Sequence, residues 1–276
     1  MWCTYASWKQ TVSRRQPRAQ MPRSIQIDEQ NGVVTKAIDR AALMAEVRMT
    51  QLAYDLARQG KLFRVPRVVD YDLGQQWIKL EYIPDTVPLH FLLRSSSVPA
   101  HLFERAGRIV AQLHGQLKPD SQHLLPLPSG VDREGPKSFV HGDLNLVNLR
   151  YLAATDELVL LDWSASPLIG AAANWGTVYW DLAHFARSTI VSPPIRLTGK
   201  RIRWLLADTF LHSYVDHAGL DPLGGPFFDY CRDIHRFFAI KERAMLPWYR
   251  YLRFAVLNQR SFPRYVAHKL AERRFD

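Results

Sequence analysis

The chain has 276 residues, of which 47% are apolar and 22% are charged. This composition is typical of a globular protein and argues against a disordered chain, and the length allows one large domain or two lobes with a substantial core. The two cysteines, Cys3 and Cys231, lie too far apart in sequence to form a metal-binding pattern or a disulfide framework.

The positive charge is concentrated at the two ends of the chain. The net charge is +10; residues 1–24 contain five basic and no acidic residues, and residues 241–276 contain nine basic and three acidic residues. Solvated ends explain this distribution, and attraction to an anionic partner such as a membrane surface or a phosphorylated substrate is the alternative. No nucleic acid is expected as a partner, because no base-reading motif accompanies the charge.

Nothing in the sequence predicts insertion into a membrane. No apolar run reaches the ~20 residues that span a bilayer, and the N-terminus lacks the continuous apolar core of a secretory signal. We therefore expect a cytoplasmic protein. Peripheral contact with the inner face of an anionic membrane is the alternative that the basic ends favour.

The first third of the chain is predicted to be rich in β-structure. After an irregular basic extension over residues 1–23, alternating apolar residues around Asn31-Gly32 predict a β-hairpin over residues 24–38. Apolar residues at helical spacing predict a helix over 40–59 that stops at Gly60. Two further strands are predicted over residues 67–72 and 77–82, and Pro84-Asp85 ends the second one.

The rest of the chain is predicted to be mainly helical. An amphipathic pattern predicts a helix over residues 101–117, followed by a loop punctuated by proline and glycine over residues 119–137. A strand at residues 138–140 precedes a charged loop, and residues 149–151 and 158–161 form a predicted hairpin. Residues 178–275 are aromatic and helical in periodicity.

Two short segments combine polar side chains at fixed offsets with apolar runs. Residues 139–148 read Phe-Val-His-Gly-Asp-Leu-Asn-Leu-Val-Asn, and residues 159–163 read Val-Leu-Leu-Asp-Trp. Phosphoryl transfer needs hard oxygen ligands for Mg²⁺ and a carboxylate that receives the proton of the attacking hydroxyl. Asp143, Asn148 and Asp162 offer this set, and the predicted hairpin is of the right length to return Asp162 to Asn148. Capping and turn residues are the alternative for each of the three alone.

The pattern His-Gly-Asp-x-x-x-x-Asn, followed by an apolar strand and Asp-Trp, resembles the aminoglycoside phosphotransferase and choline kinase family of the protein-kinase-like fold. The resemblance implies a two-lobed α+β protein that uses ATP and Mg²⁺. Asp143 matches the catalytic base of that family, and Asn148 and Asp162 match its metal ligands. His141 matches a histidine that braces the catalytic loop, and Asp181 of the Asp-Leu-Ala triplet matches a structural brace.

The front of the chain matches the same family in outline. The resemblance implies that Lys36 binds the α- and β-phosphates and that Glu46 orients it. It also implies a hinge at which the carbonyl of Glu81 and the amide of Ile83 meet the adenine. The implied lobes are a nucleotide-binding N-lobe over residues 24–83 and a catalytic, acceptor-binding C-lobe over residues 84–276. The chain departs from the family pattern in having no glycine-rich loop before Lys36.

Several alternatives stay open at this point. Asn145 either contacts the γ-phosphate or braces the loop. The acceptor is a hydroxyl of a small molecule or of a lipid-linked sugar, as in the lipopolysaccharide-core sugar kinases, which the chain also resembles. Residues 164–180 lie where the acceptor is expected to approach. The aromatic back half forms either a helical core, which its spacing favours, or a cage for a cationic acceptor. A kinase-like module that binds an anionic partner or a membrane surface, with little catalysis, is the rival function.

The back half also carries acidic residues that could line a site for a cationic acceptor, with solvated helix faces as the favoured alternative: Asp208, Asp216, Asp229 and Asp233.

Overall fold

A computed structural model describes most of the chain from Ile25 to Glu272. The described residues are 25–93, 99–118, 124–133, 135–163, 165–166, 168–169, 171–192, 199–219, 221, 223–245, 247 and 260–272. The predictions for the basic extension of residues 1–23, including its aromatic residues, lie outside this part of the chain.

The N-terminal lobe is a four-stranded antiparallel sheet with one helix. Its elements are β1 (Ile25–Asp28), β2 (Val33–Ala37), α1 (Arg40–Gly60), β3 (Val68–Asp72) and β4 (Trp77–Glu81), and the strand order is β1-β2-β4-β3. The hairpin predicted at Asn31-Gly32 connects β1 to β2, and Gly32 takes the positive φ of +65° that such a turn requires. The predicted strands and helix are all present, with ends that differ by one or two residues.

Helix α1 is fixed at both ends and packs on the sheet through its apolar face. The side chain of Asp39 accepts a hydrogen bond from the amide of Ala42 at 3.1 Å, which caps the first turn. The prediction that Gly60 stops the helix is wrong in one detail. Lys61 takes the left-handed conformation, with φ +51°, and its amide bonds to the carbonyl of Ala57. The helix packs against β4 in an apolar cluster of Ile38, Ala42, Leu43, Val47, Ile78 and Leu80.

In its described residues, the C-terminal lobe contains helices and several short strands. The helices are α2 (Leu89–Leu92), α3 (Ala100–Gln116), α4 (Tyr179–Val191), α5 (Lys200–Ala218), α6 (Gly225–Met245) and α7 (Ser261–Glu272). The strands are β5 (Thr86–Pro88), β6 (Lys137–Phe139), β7 (Leu149–Leu152), β8 (Glu157–Leu160), β9 (Ala165–Ser166), β10 (Ala171–Ala172) and β11 (Trp175–Thr177). The sequence does not predict β5, β9, β10 and β11, because two or three residues are too few to show the alternation of apolar and polar side chains that marks a strand.

The core of this lobe is built on the aromatic residues of the helices. Phe210, Tyr214, Phe227, Phe228, Tyr230 and Phe238 are all buried in it, which confirms the prediction of core packing for these residues. Trp248, Tyr249 and Tyr251 lie outside the described residues. Gly107 lets α3 approach α5 closely, because a Cβ atom at this position would lie 2.4 Å from the carbonyl oxygen of Phe210.

None of the helices, within the described residues, is both long and apolar enough to cross a membrane.

Candidate active site

The hairpin of β7 and β8 brings the two polar segments together. The strands pair in antiparallel register, with Leu149 opposite Leu160, and the amide of Leu161 bonds to the carbonyl of Asn148 at 2.9 Å. Asp162 therefore follows directly beside Asn148, as the hairpin length predicted. Asp162 takes φ +60°, a left-handed conformation that aspartate tolerates better than most residues and that turns the chain sharply after β8.

Asp143 is held in place by Asn148. The Nδ2 group of Asn148 donates to Oδ2 and to the main-chain oxygen of Asp143, both at 2.9 Å. Asp143 is only 6% exposed, so the bonds from Asn148 hold its carboxylate in largely buried surroundings. Because Nδ2 faces Asp143, the Oδ1 atom of Asn148 is the one that could ligate a cation.

Asn145 acts within the loop that carries Asp143. Its Nδ2 donates to the main-chain oxygen of Asp143 at 2.9 Å, and its Oδ1 accepts from the amides of Val147 at 2.8 Å and Asn148 at 3.2 Å. The side chain is engaged with the backbone at both ends. This geometry favours the bracing alternative over contact with the γ-phosphate.

His141 links the first polar segment to the second. Its Nδ1 accepts from the amide of Asp143 at 3.3 Å, so Nε2 carries the proton and donates to the carbonyl of Leu161 at 3.0 Å. Burial lowers the pKa of His141, although the nearby Asp181 carboxylate opposes this shift. The ring also packs on Trp163, with the centroids 4.7 Å apart. The neutral imidazole is therefore a brace across the loop.

Asp181, at the start of α4, holds the backbone ahead of Asp143. Its carboxylate accepts from the amide of His141 at 2.6 Å, from the amide of Gly142 at 3.1 Å, and from Nε2 of His114 at 3.2 Å. Burial alone would raise the pKa of Asp181, but its interactions, chiefly the hydrogen bond from His114, outweigh this effect and the pKa is lowered. Trp180 adds a bond from Nε1 to the carbonyl of Gly142 at 2.8 Å.

Lys36 connects the two lobes at the cleft. Its Nζ contacts Oε1 of Glu46 on α1 and lies 2.5 Å from Oδ1 of Asp162. Burial disfavours the ammonium, but the charges of Asp162 and Glu46 outweigh this effect and raise the pKa of Lys36. The sequence predicts the pairing of Lys36 with Glu46, and the structure adds Asp162, so that the three side chains form one partly buried charged cluster.

The two hinge residues lie between the lobes at the end of β4. The amide of Glu81 donates to the carbonyl of Arg67 at 2.9 Å, and its side chain pairs with Arg64 at 2.5 Å. The next residue, Tyr82, donates its amide to the carbonyl of Gly32 at 2.8 Å. Ile83 is buried, and its carbonyl accepts from Thr86. The contacts of Glu81 and Ile83 with adenine stay a prediction.

The strand register identifies apolar residues near Lys36 that the sequence analysis did not single out. Directly paired residues of antiparallel strands share a face of the sheet. Ile25 pairs with Lys36, and Ile27 pairs with Val34, which in turn pairs with Leu80. Ile25 and Ile27 are 48% and 56% exposed. They therefore present an open apolar surface on the face of the sheet that carries Lys36.

The oxygen donors at the cleft fit a metal that is bound mainly through a nucleotide. The described residues contain no group of three or more His, Cys, Asp or Glu side chains that could hold a metal ion alone. Mg²⁺ in phosphate-transfer sites needs only one or two protein ligands, because phosphates and water supply the others. The Oδ1 atom of Asn148 and the carboxylate of Asp162 are hard donors of this kind.

Other predicted acceptor residues have structural partners. Asp208 accepts from the hydroxyl of Tyr265 at 2.6 Å and pairs with Lys269 at 2.9 Å. Asp229 pairs with Arg232, Asp233 pairs with Arg133, and Asp216 is exposed. These contacts favour ordinary helix surfaces over a cation site. In the segment 164–180, Ala172 packs against the apolar cluster of α1, so part of this segment supports the N-terminal lobe.

Comparison with known proteins identifies the fold. No protein-family model matches the chain, and no curated protein matches it by sequence. Solved structures do match. An amicoumacin kinase in complex with AMP-PNP, Ca²⁺ and amicoumacin is 12% identical with a TM-score of 0.53, over 87% of this chain and 84% of that one. The chain has a two-lobed, protein-kinase-like fold.

Two further structures support the same fold. A choline/ethanolamine kinase family protein from Mesorhizobium loti is 15% identical, with a TM-score of 0.50 over 86% of each chain. A macrolide 2'-phosphotransferase from Brachybacterium faecium is 15% identical, with a TM-score of 0.50 over 88% of this chain and 90% of that one. At such low identity, the similarity establishes the fold of this chain but not its reaction. The reaction has to be inferred from the residues of the site.

Proposed function

We propose that this protein is an ATP- and Mg²⁺-dependent phosphotransferase that transfers the γ-phosphate to a hydroxyl group of a small molecule. The observation that carries this proposal is the contact of Lys36 with both Glu46 and Asp162, next to the Asp143–Asn148 pair. These side chains come from both lobes and meet in one cleft. Together they supply a cation for phosphates, hard metal ligands and a carboxylate base.

Asp143 is the base of the proposed reaction. Its carboxylate orients the acceptor hydroxyl and receives its proton as the hydroxyl oxygen bonds to the γ-phosphorus. The bond from that phosphorus to the β–γ bridging oxygen breaks in the same step and ADP leaves. The bonds from Asn148 hold the carboxylate, and those from Asn145 and His141 hold the loop. A fixed carboxylate loses little freedom on reaching the reactive geometry, which is the main contribution a protein makes to phosphoryl transfer.

Lys36 binds the α- and β-phosphates in this proposal, with Glu46 keeping it oriented. Asn148 and Asp162 would hold Mg²⁺, which when bound would neutralise charge on the phosphate oxygens. Lys36 lies at 2.5 Å from Asp162, so phosphate binding and metal binding are expected to compete with this ion pair. The lysine would then contact phosphate while Asp162 turns to the metal.

The adenine would lie against the apolar face of the N-terminal sheet. Ile25, Ile27 and Val34 share that face with Lys36 by strand register. The backbone at Glu81 and Ile83 would supply the hydrogen bonds to the base edge. Together, the N-terminal lobe would bind the nucleotide and the C-terminal lobe would bind the acceptor.

The acceptor is proposed only by class. The similar structures are described as kinases or phosphotransferases of choline or ethanolamine, a macrolide, or amicoumacin. A lipid-linked sugar at an anionic membrane surface is a narrower proposal, which rests on the basic ends of the chain. The ion-paired state of Asp208, Asp229 and Asp233 gives no support to a strongly cationic acceptor.

A catalytically weak module that binds an anionic partner is the second candidate. It is favoured by the absence of any glycine before Gly32. Gly32 itself is engaged through its carbonyl with the amide of Tyr82. The sequence thus provides no glycine-rich loop on the N-terminal side of Lys36 to cover the phosphates.

A thermal-shift titration with nucleotide separates the two candidates. A ligand at 100 times its Kd stabilises the folded state by about 2.7 kcal/mol, which raises the Tm of a protein of this size by about 5–10 °C. We expect Mg-ATP to give such a shift in the wild type, and Asp162→Asn to lose most of it. No shift at millimolar Mg-ATP would favour the binding module instead.

A further inference from the structure

A buried chain of hydrogen bonds reaches the catalytic loop from helix α5. The hydroxyl of Tyr214 lies 3.1 Å from Nδ1 of His114, and Nε2 of His114 lies 3.2 Å from Oδ2 of Asp181. Asp181 in turn receives the amides of His141 and Gly142. Tyr214 is 1% exposed and His114 is 9% exposed, so water has little access to this chain.

The chemistry of the three groups fixes the direction of the bonds. The Asp181 carboxylate can only accept, so Nε2 of His114 must carry the proton that it donates. In the Nε2–H tautomer the lone pair lies on Nδ1, which accepts from the hydroxyl of Tyr214. Burial raises the pKa of Tyr214, with a further contribution from Asp181, so the phenol keeps its proton.

The position of Tyr214 is set by the close crossing of α3 and α5. A Cβ atom at Gly107 would lie 2.4 Å from the carbonyl oxygen of Phe210 and 2.8 Å from the amide of Tyr214. Both are backbone atoms, so any larger residue would push the helices apart. The hydroxyl of Ser213 also donates across the crossing, to the carbonyl of Glu104 at 2.7 Å.

We propose that Tyr214 is a positioning residue for phosphoryl transfer. It anchors the ring of His114 through Nδ1 so that Nε2 faces Asp181 and donates to it, and Asp181 thereby keeps the backbone of His141 and Gly142 in the conformation that aims Asp143. Tyr214 on α5 and His114 on α3 lie 100 residues apart in sequence. Their proposed role requires no contact with either substrate. The effect on turnover rests on the proposed function, whereas the tautomer and the loop geometry do not.

The first test is independent of activity. Nitrogen-15 NMR of the histidines should report His114 as the Nε2–H tautomer in the wild type. In Tyr214→Phe the ring loses its contact at Nδ1, so we expect a shifted Nδ1 resonance of His114 and faster hydrogen exchange of the His141 and Gly142 amides. A wild-type spectrum with the proton on Nδ1, or unchanged spectra and exchange in Tyr214→Phe, would overturn the proposal even if no acceptor were ever phosphorylated.

The second test measures turnover once an acceptor is known. Loss of one buried hydrogen bond corresponds to about a three- to tenfold change, and we expect kcat of Tyr214→Phe to fall by this factor with KM for ATP little changed. Tyr265→Phe is the matched control, because it removes a buried hydroxyl that bonds to Asp208, far from the loop in the bonding network. Equal losses in the two variants would contradict a positioning role.

A double substitution isolates the path through His114. His114→Gln keeps an amide nitrogen near the place of Nε2 but has no ring nitrogen for Tyr214 to fix. We therefore expect Tyr214→Phe to change kcat little further in the His114→Gln background. Fully additive losses would show that Tyr214 acts by some other path, and would overturn the proposal.

Discussion

At the scale of single residues, the site depends on charges that compensate one another away from water. Glu46 is 2% exposed and Asp143 is 6% exposed. A buried carboxylate without a cation or hydrogen-bond donors is costly, so each of these groups has a specific partner. Lys36 forms ion pairs with both Glu46 and Asp162, and Asn148 donates a hydrogen bond to Asp143. The same contacts that neutralise these groups also aim them at the cleft.

Glu46→Gln tests the orientation of Lys36. The amide can still accept a hydrogen bond but no longer carries the charge, so Lys36 is held less firmly between its two partners. We expect KM for ATP to rise about three- to tenfold, the size of one charge-assisted bond. Gln51→Glu, a change of charge on the exposed side of the same helix, is the control and should leave KM unchanged. An unaltered KM in Glu46→Gln would argue against a role for this pair in nucleotide binding.

His184 predicts a pH dependence of stability. It is buried between Trp180 and Phe238, and burial, with Arg187 nearby, lowers its pKa from 6.5 to about 3. Because the folded pKa lies below the unfolded one, the unfolded chain binds an extra proton between these values. The contribution of His184 to the free energy of unfolding is therefore fully present above about pH 6.5 and is lost as the pH decreases. From pH 7 to pH 5 this single histidine should cost about 2 kcal/mol.

Urea unfolding of the wild type and of His184→Phe at both pH values measures this contribution. The loss of unfolding free energy between pH 7 and pH 5 should be smaller by about 2 kcal/mol in the variant. Equal losses would mean that His184 is not a neutral group in the folded protein.

At the scale of elements, helix α4 positions the loop that carries Asp143 and is itself fixed at both ends. Asp181 and Trp180 bind the loop near its first turn. At its last turn, Nη1 of Arg203 donates to the carbonyls of Thr189 at 3.3 Å and Ile190 at 3.4 Å, and contacts that of Ser192. A helix ends with carbonyls that lack intrahelical partners, and a cation there also interacts favourably with the helix dipole. Burial lowers the pKa of Arg203 to about 10.

Arg203→Met should therefore destabilise the protein strongly. The variant fills similar space but leaves the buried carbonyls of α4 without a donor, which costs about 2–4 kcal/mol. Arg201 lies on the exposed side of α5, the helix that also carries Arg203. Arg201→Met should change stability by less than about 0.5 kcal/mol. Urea unfolding of both variants makes the comparison, and similar small effects would contradict a capping role for Arg203.

At the scale of the whole molecule, the parts that sequence predicts best are those whose spacing is local. The Asn31-Gly32 hairpin, the helix after it and the His-Gly-Asp-x-x-x-x-Asn pattern depend on neighbouring residues, and the structure contains each of them. Tyr214 and His114 could not be found in this way, because helix packing alone brings them to Asp181. The placement of Ile25 and Ile27 on the face of Lys36 follows from the register of the local hairpin, whereas the pairing of Val34 with Leu80 joins strands that are far apart in sequence.

The two lobes meet in a cleft to which each contributes charged or polar side chains. The N-terminal lobe contributes Lys36 and Glu46, and the C-terminal lobe contributes Asp143, Asn148 and Asp162. The proposed reaction requires the nucleotide and an acceptor to occupy the cleft together. The acceptor is the missing partner, so a panel of choline-like, amino-sugar, macrolide and lipid-linked sugar alcohols is the appropriate set to assay.

The most direct measurement is transfer of labelled γ-phosphate from Mg-ATP to members of this panel, with the product identified by mass spectrometry. We expect one class of alcohol to be phosphorylated by the wild type. Asp143→Asn should lower kcat by about 10²–10⁴ while the Mg-ATP thermal shift is retained, and Asp70→Asn on the exposed strand β3 should leave kcat unchanged. Undiminished transfer by Asp143→Asn would contradict the assignment of Asp143 as the base of the proposed reaction.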